Sequence, residues 1–67
     1  MEAMAALEIV RAKIEDRMRE RNEAAERSRK AKNYSFANIC LAQILGLIDA
    51  RNIVLDAIKD ETPTEQR

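Results

Sequence analysis

Acid–base or nucleophilic catalysis at neutral pH needs side chains that ionise near 7 or an activated nucleophile, and this 67-residue sequence has few of either. It contains no histidine and a single cysteine, Cys40. Among the acids, Glu20, Glu23 and Glu26 recur at three-residue steps, which on a helix puts carboxylates on successive turns. Such a row could hold part of a magnesium site, but no Glu-x-x-Asp pair follows to complete the oxygen shell. One Cys without His excludes an intrachain disulfide and a nitrogen- or sulfur-ligated structural zinc. The residue types therefore predict a protein that is not an enzyme and takes no cofactor and no metal.

Recognition of negative charge is the other chemistry on offer. The twelve basic and twelve acidic side chains cancel over the whole chain but are unevenly spread. Residues 1–16 hold two bases and four acids, 17–32 seven and three, and 33–67 three and five. Arg17, Arg21, Arg27, Arg29, Lys30 and Lys32 are thus the candidate contacts to a nucleic acid or an acidic partner. Against this stand the interleaved glutamates. Glu23 with Arg27 and Glu26 with Lys30 have the i,i+4 spacing of helix-surface ion pairs, which makes the same stretch readable as a solvated helical face.

Short resemblances touch the same segment. Ala24-Ala25-x-x-Ser28-Arg29 resembles the Ala-Ala-x-x-Ser-Arg core of bZIP basic regions, which implies DNA contact in the major groove. The asparagine that should precede the alanine pair by three is Arg21, and the apolar heptad starts out of register. Val10-Arg11-x-x-Ile14-Glu15 resembles the opening of the helical chorismate mutases, where the arginine would grip a carboxylate, but Arg21 and Asn22 stand where leucines should follow. Glu20-x-x-Glu23 is similar to the metal motif of all-α nucleotide pyrophosphatases, without its second half. In length and helix count the chain also looks like the Rop-type hairpins, which bind RNA through a bundle face.

The elements that must carry these residues are helices. No Gly or Pro occurs before Gly46, and Ala, Glu, Arg and Met dominate the first half. Met4, Leu7, Val10, Ile14 and Met18 form an apolar stripe that fades towards Ala25. Lys32-Asn33-Tyr34-Ser35 is the expected bend, with Asn33 in a left-handed conformation and Ser35 capping the second helix; one unbroken helix is the alternative. The fold class is all-α, with helices at about residues 2–32 and 35–60 forming an antiparallel hairpin domain, residues 1–60, followed by a disordered tail, residues 61–67, from the helix-breaking Pro63. Gly46 within the second helix is expected to allow close helix approach.

The second helix is apolar around well over half its circumference, more than one neighbour can cover. Ala37, Cys40, Ile44, Leu47, Arg51, Val54 and Ile58 make a 3-4 heptad seam, in which Arg51 is snorkelling or paired with an acid such as Asp16. If the chain folds back near Asn33, residues 36–47 face only Ala24, Ala25, Ser28 and Ala31. A second copy supplies the missing surface, giving a homodimeric four-helix bundle with Phe36, Cys40, Leu41, Ile44, Leu45, Leu47 and Ile48 in its shared core. No run of about 18 apolar residues predicts a membrane span, so the expected setting is cytoplasmic. The expected function is a protein–protein interaction module of the size of phage and microbial regulators, an adaptor, regulator or inhibitor; RNA or DNA binding through Arg17 to Lys32 is the alternative.

Overall fold

Both halves of the chain follow their helix propensity. The computed structural model describes residues 2–61, in which α1 runs Ala3–Lys30 and α2 runs Tyr34–Glu61, 28 residues each. The two helices pack antiparallel as a hairpin. The bend is present, so one continuous rod is excluded for this structure. Glu61 belongs to α2 rather than to a tail, and residues 62–67 of the expected tail lie outside the described residues.

Three backbone bonds close α1. The amides of Ala31, Lys32 and Asn33 donate to the carbonyls of Arg27, Arg29 and Ser28 at 3.0, 2.9 and 2.7 Å. The last two form the paired pattern that terminates helices with a left-handed residue. That residue is Lys32, at φ 62°, not Asn33 as the composition of the turn leads one to expect. Asn33 instead begins α2: its Oδ1 accepts the Phe36 amide at 3.3 Å, a side-chain N-cap, while Ser35 is already helical.

Equal helices and a turn centred on Lys32 place residue i opposite about 64 minus i. The seam then runs at alternating three- and four-residue steps on both sides. On α1 it is Met4, Leu7, Arg11, Ile14, Met18, Arg21, Ala25 and Ser28; on α2 it is the heptad set Ala37 to Ile58. Every one of these is half-buried or buried. Val10, expected on the stripe, is exposed, because the step from Leu7 to the seam is four residues, to Arg11.

Full burial occurs only near the bend among the described residues. Ala25 and Cys40 are 0% exposed and Ala37 is 2% exposed. Beside the small side chains of α1 there Cys40 is enclosed, while Phe36, Ile39, Leu41 and Leu45 of α2 stay exposed. Elsewhere a two-helix layer has no means of surrounding a large side chain. The molecule measures 50 × 20 × 14 Å, and its smallest dimension is little more than one helix diameter of about 10–12 Å. Gly46 takes no part in this packing, since a Cβ built there meets nothing within 4 Å.

α2 is also long and apolar enough to cross a membrane, because an 18-residue window holds no more than two charged side chains even though it is not an unbroken apolar run. Core helices of water-soluble proteins meet the same criterion but are mostly buried, whereas 6% of this window is buried within the hairpin. Asp49, Arg51 and Asp56 all lie within α2, and at the centre of a bilayer helix each such charge costs about 2.5–3.5 kcal/mol.

Candidate interaction surface

The seam carries charges that a hairpin of this size has no energetic need for. Arg11 hydrogen-bonds Glu8, one helical turn earlier, and its pKa is raised first by that bond and then by the charge of Glu8; desolvation opposes the rise, and the charge of Glu15 adds least to it. Its Nε, like that of Arg51, is buried without a hydrogen-bond partner among the described residues. Asp16, the expected partner of Arg51, pairs with Arg19 instead. In this register Arg11, Ile14, Arg51 and Val54 belong to one stretch of the seam, so two guanidinium groups share it.

One side of the seam is marked by a groove of about 310 Å³ lined by Val10, Lys13, Ile14, Arg17 and Leu47. Its floor is aliphatic and its rim cationic. Helical periodicity puts Ala3, Ala6 and Ala24 of α1 on the same side, with Phe36, Ile39, Ala50 and Ile53 of α2. Phe36, Ile39 and Ile53 are exposed, Ile53 at 69%.

Across the seam the character changes. Glu8, Glu15 and Asn22 of α1 lie on that side, opposite Leu41, Ile48 and Leu55 of α2, with Leu45 beyond them. Leu45 is 66% exposed; Leu41 and Leu55 are exposed, and Ile48 is half-buried. The seven residues named above for a shared core therefore separate. Cys40 is enclosed within a single copy, Ile44 and Leu47 are half-buried at the seam, and Phe36 lies on the groove side. Leu41, Leu45 and Ile48 lie on the other.

The basic residues separate too. Arg21 sits half-buried on the seam, while Arg17, Arg27, Arg29, Lys30 and Lys32 are exposed but spread around α1 and the turn rather than along one face. Arg17 pairs with Glu20 at 3.7 Å, and Arg29 pairs with Glu26. These pairs span three residues, not the four expected for Glu23–Arg27 and Glu26–Lys30. Glu20 and Glu26 are thus engaged by arginines, and among the described residues no group of three or more His, Cys, Asp or Glu could hold a metal ion.

The signal that separates the two sides was available in the spacing. Leu41, Ile48 and Leu55 are seven apart, as are Ile39, Gly46 and Ile53, so each set follows its own strip along a seam that repeats every seven residues. Comparison with protein-family models, curated proteins and solved structures finds no match to this chain.

Proposed function

We propose that two hairpins associate side by side into a four-helix bundle, and that this homodimer works as a cytoplasmic protein–protein interaction module rather than as an enzyme. The exposed surface carries the reading. Among the described residues nine large apolar side chains are exposed, whereas the three fully buried residues are small.

The groove side is the better bundle face. A bundle must bury both helices of each hairpin, and here α1 offers Ala3, Ala6 and Val10, with Lys13 and Arg17 at the rim, on the side that carries Phe36, Ile39 and Ile53 of α2. On the other side α1 offers Glu8 and Glu15. This choice moves Leu41, Leu45 and Ile48 out of the shared core expected from sequence. Nucleic-acid binding gains less support, since its candidate cations are divided among several faces, two of them engaged by glutamates.

Ile39 and Ile53 are exposed in the single hairpin, so Ile39→Glu/Ile53→Glu leaves its seam intact. Multi-angle light scattering should give twice 7.7 kDa for the unaltered chain and the single mass for the variant. An unaltered chain of single mass would remove the proposal, and a variant of double mass would remove this choice of face.

A further inference from the structure

We propose that the row Leu41, Leu45, Ile48 and Leu55 is the docking site for a basic amphipathic helix of a partner protein. The inference builds on the interaction-module reading by identifying what the module binds. Three of the four side chains are exposed, and the row keeps the i, i+4, i+7 spacing by which a helix face anchors another helix. From Leu41 to Leu55 it spans about 21 Å, the length of roughly 15 helical residues.

Charge identifies the occupant. Glu8 and Glu15 stand along the α1 edge of the row, and Asp49 and Asp56 along its outer edge, with Lys59 at its C-terminal end. Glu8 is shared with Arg11, but among the described residues no ion pair includes Glu15, Asp49 or Asp56. An aliphatic strip with acidic margins complements a helix that carries leucine-like anchors flanked by Lys or Arg. A second copy fits poorly, because pairing row to row brings the Asp49 and Asp56 carboxylates of both copies together. The chain's own basic stretch does not fit either, since no large aliphatic side chain lies between Met18 and Tyr34. The same acids repel nucleic acid and anionic bilayer surfaces.

The test uses the full chain and two fluorescein-labelled 18-residue peptides, helical with leucines at the matching spacing, one with Lys and Arg elsewhere and one with Glu. Anisotropy should show saturable binding of the basic peptide that weakens with salt, and at least tenfold weaker binding of the acidic one. Leu45→Glu should weaken the basic peptide at least tenfold. Asp49→Lys/Asp56→Lys should transfer the preference to the acidic peptide. Circular dichroism should show unchanged helix content in both variants, whose altered residues are exposed. Equal binding of the two peptides, or no effect of either variant, would overturn the inference. Light scattering separates it from the dimer: a Leu45→Glu chain that halves in mass makes the row a homodimer contact and sinks the docking site alone. A monomeric unaltered chain that still selects the basic peptide supports the docking site and sinks the dimer.

Discussion

The Phe36 amide donates to the Asn33 side-chain oxygen at 3.3 Å, so the residue that closes α1 through its backbone also opens α2 through its side chain. One residue thereby sets both the end of one helix and the start of the next, and with them the register of the whole seam.

Asn33→Ala should lower the hairpin's stability by about 1 kcal/mol, the usual worth of an N-cap side chain. Urea unfolding followed by circular dichroism measures it. A change below a few tenths of a kcal/mol would mean that the cap does not hold in solution.

Lys32 adopts a left-handed conformation that costs an L side chain about 1 kcal/mol or more. Lys32→Gly should therefore raise stability by roughly 0.5–1 kcal/mol, after allowing for the entropy glycine loses on folding. Destabilisation in the same urea experiment would show that Lys32 contributes more than a backbone conformation.

Much of this hinge was legible beforehand, and its assignment was not. The turn chemistry of Asn33 and Ser35 and the break in apolar spacing after Met18 point to two helices and a bend at residues 32–35, while the absence of Gly and Pro there left one unbroken helix open. Asn and Lys are both tolerable in the left-handed position, with Asn favoured, and only the competing demand for a cap on the Phe36 amide decides which takes it. The seam was half legible. On α2 the heptad set follows from apolar spacing, while on α1 Val10 and Arg11 compete for one place, and hydrophobicity favours the wrong one. Cys40 is buried within one hairpin, while Phe36, Ile39, Leu41 and Leu45 of the same stretch stay exposed, as the small facing residues of α1 lead one to expect.

Arg51→Met should raise stability by about 1–2 kcal/mol. It removes a buried Nε that has no partner among the described residues and keeps an apolar stem on the seam. Thermal and urea unfolding of the variant measure the change. A loss of more than about 1 kcal/mol would reveal an anionic partner for Arg51 in the assembled protein.

Fluorescence anisotropy with labelled RNA and duplex DNA at low salt should show no saturable binding. Arg29 and Lys30 do not share a face with Arg17, Lys32 lies in the turn, and Arg21 is tied into the seam. Tight, salt-sensitive binding lost in the Arg27→Gln/Arg29→Gln/Lys30→Gln variant would instead make the basic segment the working surface.

Sedimentation equilibrium of the unaltered chain across micromolar concentrations tests the central claim most directly, because Ile39, Ile53 and Phe36 stay exposed within one hairpin. The account predicts a mass of twice 7.7 kDa that persists on dilution to the low micromolar range. A single, stably helical species of 7.7 kDa throughout would contradict it.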